Sequence, residues 1–193
     1  MGTTYHISYR DSLGRNLQSS IDSLLLSIKQ EVSTYIPDSR ISLFNVNDTG
    51  IFIPTGNPSY FANNLKLSGL VYGHSGGWFN PCVMPLVRYF NFGPNKKPLT
   101  KIDSNMVDSL TKLVNFDAVS IVENADGVWI RKTVPQLEVD FSAIAKGDAC
   151  DEKVGAVRGL RPVNVAHDAG GAKERHKRAA VLQHLGLVDE ELA

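Results

Sequence analysis

The sequence predicts an α+β fold in which helices pack on an antiparallel sheet. Three observations carry that expectation. Leu17, Ile21, Leu24, Leu25, Ile28, Val32 and Tyr35 recur at steps of three and four, the period of an amphipathic helix. Val119 to Val122 and Val128 to Arg131 flank Asp126-Gly127, a dipeptide suited to a hairpin turn. Leu137, Val139 and Phe141 alternate with Glu138 and Asp140, the period of a half-buried strand. Half-exposed strands argue against a doubly wound parallel nucleotide-binding sheet, whose strands read as continuous apolar runs.

The elements follow in chain order. Thr4 to Tyr9 alternates, with Tyr5, Ile7 and Tyr9 on one side, and reads as a first strand. Asp11-Ser12-Leu13-Gly14 is a turn by composition. The long helix runs from Leu17 to Tyr35 and stops at Pro37, with Leu17, Ile21, Leu24, Ile28 and Val32 facing the sheet. Residues 36–50 read as loop, with a helical turn around Ile41 to Phe44. A second helix starts near Pro58, carries Phe61, Leu65, Leu70 and Val71, and ends at the Gly73 to Gly77 cluster. Pro81 and Pro85 make residues 78–86 irregular, with one helical turn at Val87 to Phe90. Asp103 or Ser104 caps a third helix carrying Met106, Val107, Leu110 and Leu113. The small residues from Ser142 to Ala149 open a further helix, and Ala172 to Leu185 reads as a polar one.

Of the 193 residues, 42% are hydrophobic, enough for a sizeable core. Twenty basic residues balance twenty acidic ones, which argues against a nucleic-acid partner. No apolar run approaches the ~20 residues of a membrane span, and no signal-peptide pattern follows Met1. The chain is therefore expected to be cytoplasmic or to lack a removed leader. Cys82 and Cys150 cannot build a disulfide framework or a four-cysteine zinc site.

The composition breaks near residues 147–154. All aromatic, Ser, Thr, Ile and Met residues precede position 148, and the rest is rich in Ala, Gly, Val, Arg and His. We expect a domain over residues 1–154 and a divergent tail over 155–193. The tail is either an Ala-rich terminal subdomain or foreign to the fold, as a fusion or frameshift would leave it.

Several motifs have to be weighed. Gly73-His74-Ser75-Gly76-Gly77 fits the G-x-S-x-G nucleophile elbow, but a helix enters it where the hydrolase motif needs a strand. A glycine-rich helix cap is the preferred reading. His167, His176 and His184 with Cys150 match no metal-ligand spacing and read as solvated side chains. Gly170-Gly171-Ala172-Lys173 lacks the spacing and the Ser or Thr of a phosphate loop. The segment Asp140-Phe141-Ser142-Ala143-Ile144-Ala145-Lys146-Gly147 joins a carboxylate, small residues and a lysine where a helix begins. It reads either as an ordinary strand–helix junction or as a place for a phosphorylated ligand, with lysine as counter-charge and backbone N–H groups as donors.

This last segment resembles the D-[LF]-[GS]-[GA]-I-A-K-G motif of the ApbE family of FAD:protein FMN transferases. Three other stretches are similar in order and spacing to family motifs. They are Met1-Gly2-Thr3-Thr4-Tyr5-His6-Ile7, the stretch STYIPDSRISLFN from Ser33 to Asn45, and GWFNPCVMPLV from Gly77 to Val87 followed by Asn91-Phe92-Gly93-Pro94. The resemblance covers residues 1 to about 154 and implies part of the family's T-fold, an antiparallel sheet with packed helices. It implies magnesium-dependent transfer of FMN from FAD to a threonine of an acceptor flavoprotein, with release of AMP. It also implies a lipoprotein on the periplasmic side of the bacterial inner membrane.

Carried over by residue, the resemblance makes Met1, Tyr35, Trp78, Phe79, Asn80, Asp140 and Lys146 contacts of FAD, and gives the Ala143 carbonyl to Mg2+. Asn80, Cys82 and Asp148 stand where the family usually has Asp, Thr and an aromatic. The family's late D-A-x-x-T segment, source of its Asp and Thr metal ligands, has no counterpart here, and the tail contains no threonine. The expected activity of the chain alone is therefore slow or nil. The alternative reading is a truncated, catalytically inactive flavin-binding homologue.

Overall fold

A computed structural model describes residues 7–10, 13–56, 59–92, 101–156 and 161–164, and only the backbone for 8–10, 151–156 and 161–164. In chain order the elements are β1 (Ser8–Arg10), α1 (Gln18–Val32), α2 (Arg40–Val46), β2 (Gly50–Pro54), α3 (Tyr60–His74), α4 (Met84–Tyr89), α5 (Ser104–Thr111), β3 (Val119–Asn124), β4 (Gly127–Lys132), α6 (Ala145–Ala156) and β5 (Arg161–Asn164). A 3-10 turn at Pro81–Val83 leads into α4. The chain divides into two compact units, one over Asn16–Arg158 and one formed by Gly2–Arg15 with Gly159–Ala193. In the second unit β1 and β5 pair antiparallel, with a register shift between Ser8 and Tyr9. Met1 and the expected strand residues 4–6 lie outside the described residues, as does the expected helix at Ala172 to Leu185.

The first unit holds the candidate site. Its sheet is antiparallel, in the order β2-β4-β3. The hairpin expected around Asp126-Gly127 is present, with Ala125-Asp126 as the loop and Asn124 opposite Gly127. The Asn124 Oδ1 accepts from the Asp126 and Gly127 N–H groups, both at 3.0 Å, and closes the turn. Gly127 has φ +154, and a Cβ there would meet the Ile53 carbonyl oxygen at 2.1 Å, so the central strand needs glycine at this point. Strand β2 was not expected from the sequence. Its Ile51-Phe52-Ile53 is too short to show a period, and it is defined by pairing with β4.

Helix α1 buries Ile21, Ile28 and Val32, as its period predicts. Two expected core positions are corrected: Leu17 sits at the helix N-cap and Leu24 at the edge of the stripe, both half-buried. The helix also ends at Val32, three residues before Tyr35, where Ser33 turns to an extended backbone. Ser39 then caps α2, accepting from the Ser42 N–H and donating to the Ser33 carbonyl at 2.7 Å. The expected helical turn at Ile41 to Phe44 is a full seven-residue helix. Asp103 caps α5 as anticipated, accepting from Asn105 and Met106 N–H groups.

At the centre, the Phe61 ring of α3 lies 5.3 Å from Phe44 and 5.5 Å from Phe141. Ile41, Ile53, Leu65, Ile130, Leu137 and Val139 complete a fully buried cluster. Phe44 and Phe141 belong to two of the sequence motifs, so the core itself draws those motifs together. Among the described residues no helix is long and apolar enough to cross a membrane.

Candidate functional site

The loop after α3 takes its shape from a helix-ending motif. The Gly77 N–H reaches back to the Tyr72 carbonyl at 2.9 Å and the Gly76 N–H to the Gly73 carbonyl at 3.2 Å. Gly76, at φ +61, supplies the left-handed residue that this Schellman geometry requires. The Ser75 hydroxyl donates to the Tyr72 carbonyl and accepts from the Phe79 N–H. Ser75 is thus a loop strut at a helix end, with no imidazole or carboxylate bonded to it among the described residues, and the hydrolase reading is set aside. The turn leaves Trp78 95% exposed, an unusual position for so large an apolar ring. Phe79 is half-buried beside it.

Asn80 fixes the far end of this loop. Its Oδ1 accepts from the Cys82 N–H at 2.9 Å, and its Nδ2 donates to the Val114 carbonyl at 3.2 Å. A carboxylate could make the first bond but not the second, which gives the neutral amide a physical reason at this position. Cys82 is fully buried, and burial pushes its thiol up to about 12, so it stays protonated and inert.

The second motif begins with residues 137–141. Leu137, Val139 and Phe141 are buried while Glu138 and Asp140 are half-exposed, so the alternation holds. The expected strand is corrected, however, because the backbone here is paired by side chains. Asn45 clamps Val139 from both sides, donating Nδ2 to its carbonyl at 3.0 Å and accepting its N–H on Oδ1 at 2.8 Å. Lys132, only 5% exposed, donates Nζ to the carbonyls of Leu137 and Asn45, and its charge lies 5.2 Å over the Phe44 ring. Burial pushes the Lys132 ammonium below its ordinary value, and the neighbouring Glu138, Asp48 and Cys82 oppose that shift.

The next residue joins the two motifs. The Asp140 N–H donates to the Pro81 carbonyl at 2.8 Å, which sets the start of the 140–146 segment against the end of the 78–80 loop. The Asp140 Oδ1 accepts from the Ser142 N–H at 2.6 Å, turning the chain toward α6. Ile144 and Ala145 both bond back to the Phe141 carbonyl. Among the described residues no backbone hydrogen bond engages the N–H of Ala143 or Lys146, or the Ala143 carbonyl. Both residues are exposed. The segment therefore offers two N–H donors, an ammonium, a carboxylate and a free carbonyl at the start of a twelve-residue helix.

The structure places the sequence candidates as follows. Trp78, Phe79, Asn80, Asp140, Ala143 and Lys146 lie on two segments joined by the Asp140–Pro81 bond. Tyr35 is exposed in the turn after α1, and its side chain makes no hydrogen bond or ring contact among the described residues. Met1 lies outside the described residues, as do His167, His176, His184 and the 170–173 stretch. Among the described residues no group of three His, Cys, Asp or Glu side chains could hold a metal ion. Asn45 closes the Ser33–Asn45 motif, but its role as a clamp on Val139 was not read from the sequence, and Lys132 was not singled out at all. Lys132 occupies an inward position on β4, alternating with exposed Arg131, and that register was the available signal.

Glu138 extends this frame to α4 through an ion pair with Arg88 at 2.9 Å. Burial raises its carboxyl above the ordinary 4.5, while Arg88 and Lys132 act in the opposite direction. Such a group contributes stability that is present below the unfolded pKa and is lost as pH rises through the higher folded value. Between pH 4.5 and neutrality the wild-type chain should lose a component of stability that E138Q does not lose. Urea titrations of both chains at the two pH values check this. The same pH dependence in both would place the carboxyl outside this environment.

A model of the ApbE family covers residues 1–173. The FAD:protein FMN transferase of Haemophilus influenzae is 29% identical over 179 residues, which are 89% of this chain and 51% of that protein. That of Vibrio cholerae is 31% identical over 157 residues, 78% of this chain and 45% of that protein. The solved flavin transferase ApbE of Vibrio cholerae superposes with a TM-score of 0.72 at 29% identity, over 83% of this chain and 52% of that one. The apo flavinyl transferase ApbE of Pseudomonas stutzeri, also at 0.72 but 24% identical over 83% of this chain and 51% of that one, supports the fold alone. The chain spans about half the length of the curated relatives it matches.

Proposed function

Because the chain belongs to the ApbE family, we propose that it carries the flavin-nucleotide half of an FAD:protein FMN transferase. The observation that carries this reading is the Asp140–Pro81 hydrogen bond, which holds together two motif segments some sixty residues apart in sequence. FAD needs an aromatic face for its rings and positive charge with N–H donors for its pyrophosphate. The exposed Trp78 ring, with Phe79, meets the first need. Lys146 and the N–H groups of Ala143 and Lys146 meet the second. Asp140, held by its bonds to Pro81 and Ser142, presents its second carboxylate oxygen to a hydroxyl or ring N–H.

In the proposed reaction the acceptor threonine oxygen bonds the FMN phosphorus and gives up its proton. The bond between that phosphorus and the bridging oxygen breaks, and AMP leaves with the oxygen. Lys146 would hold the pyrophosphate and offset charge that gathers on the leaving phosphate. Mg2+ takes oxygen donors and keeps substrate phosphates and waters among its ligands. The unengaged Ala143 carbonyl fits that donor chemistry and would hold the ion, which when bound would neutralise pyrophosphate charge.

Tyr35 and Met1 as further FAD contacts, a threonine-bearing flavoprotein as acceptor, and a lipoprotein location on the periplasmic side remain parts of the same proposal, supported by the family resemblance. Incubation with FAD, Mg2+ and a family acceptor protein, read as flavin fluorescence on a denaturing gel, tests the activity. The expected result is at most a faint magnesium-dependent band, in keeping with the slow transfer expected of this chain alone, and an acceptor Thr→Val variant should lack it. A chain that binds FAD yet leaves the acceptor dark would reduce the proposal to flavin binding.

A further inference from the structure

We propose that the Asn64–Asp148 pair positions Lys146, and thereby sets the affinity of the site for a flavin dinucleotide. The inference rests on the reading of the site given above. Asn64 lies on α3 with 0% exposure. Its Nδ2 donates both to the Tyr60 carbonyl at 2.8 Å and to the Asp148 Oδ2 at 2.6 Å. Both donors of the amide are used, so its orientation is fixed; the flipped amide would set oxygen against a carboxylate.

This contact is a poor choice for stability alone. The Asn64 Oδ1 is buried without a hydrogen-bond partner among the described residues, and so is the Ser68 hydroxyl one turn further along α3. Apolar side chains would bury the same area without stranding polar atoms. What the polar pair adds is direction. The first turn of α6 also meets the core through Ala145 and Ala149, 4% and 2% exposed. Methyl groups resist rotation or sliding of a helix only weakly. A charge-assisted hydrogen bond at one side-chain position fixes both. On a helix turning ~100° per residue, Asp148 and Lys146 project about 160° apart. Anchoring Asp148 against α3 therefore turns Lys146 outward, where it is exposed beside the free N–H groups of the 140–146 segment.

The experiment is an FAD titration of the full chain, followed by flavin fluorescence, with wild type, K146A, D148A, D148N and the K146A/D148A double variant. K146A is expected to bind about tenfold more weakly and D148A about fivefold. D148N keeps an acceptor oxygen for Asn64 and should bind within about twofold of wild type. The double variant should bind no more weakly than K146A, because Asp148 acts through Lys146. Wild-type affinity in D148A, equal losses in D148A and D148N, or a further loss in the double variant would each overturn the positioning role. An unchanged K146A would instead overturn the functional reading beneath it. If D148A fails to fold, D148S, whose shorter side chain cannot reach Asn64 in the same way, takes its place: a loss like that expected of D148A supports the proposal, and wild-type affinity overturns it.

Discussion

Phe61→Ala should lower the free energy of unfolding by about 4 kcal/mol, within the range found for Phe→Ala in buried cores. Phe61 has 0% exposure, and its ring is held between Phe44 and Phe141. Phe44 belongs to α2 and Phe141 to the segment that carries Asp140, so the cavity would open where three parts of the chain meet. The aromatic pairs lose their edge and face contacts in addition to the transfer term. Such a loss is a large fraction of the 5–15 kcal/mol typical of a domain. Asn63→Ala, an exposed neighbour on the same helix, is the control. Equal urea midpoints for the two variants would refute the assignment of Phe61 to the core.

Asn45→Ala should cost about 3 kcal/mol and weaken flavin binding together with stability. Removing the amide strands the N–H and the carbonyl of Val139, and each unsatisfied buried group costs roughly 1–3 kcal/mol. Alanine also removes a side chain that is 5% exposed, leaving a cavity beside Lys132. The segment released is the one that delivers Asp140 to Pro81. Denaturant unfolding and an FAD titration on the same preparation check both parts. A variant that loses stability but keeps full FAD affinity would show that the clamp has no part in forming the site.

The sequence revealed those elements whose signal is local. The three-and-four spacing located α1, and its burial of Ile21, Ile28 and Val32 follows from it. Asp126-Gly127 located the hairpin because a tight turn between β-rich runs is decided by its own residues. Strand β2 escaped because three apolar residues show no period and its identity comes from β4. The 137–141 segment showed the right alternation but not its partner, since Asn45 lies 94 residues away and its place at the end of the Ser33–Asn45 motif does not say what it bonds. Lys132 escaped for the same reason: a lysine reads as surface until its Nζ is found on two buried carbonyls. Asp140 and Lys146 were recognisable as a phosphate-suited junction from residue type, and as a flavin site from the family motif. Their meeting with the Trp78–Asn80 loop was legible only as two motifs in one sequence. The bond that joins them is a backbone hydrogen bond, to which side-chain identity gives no clue.

The central claim is that this joined surface holds FAD. Its most direct measurement is an FAD titration of wild type against the Asp140→Ala, Lys146→Ala double variant, followed by flavin fluorescence and accompanied by circular dichroism to confirm folding. Removing a carboxylate and an ammonium that each make a charge-assisted hydrogen bond should weaken binding about fiftyfold. Equal affinity in the two folded chains would contradict the account and place the flavin elsewhere.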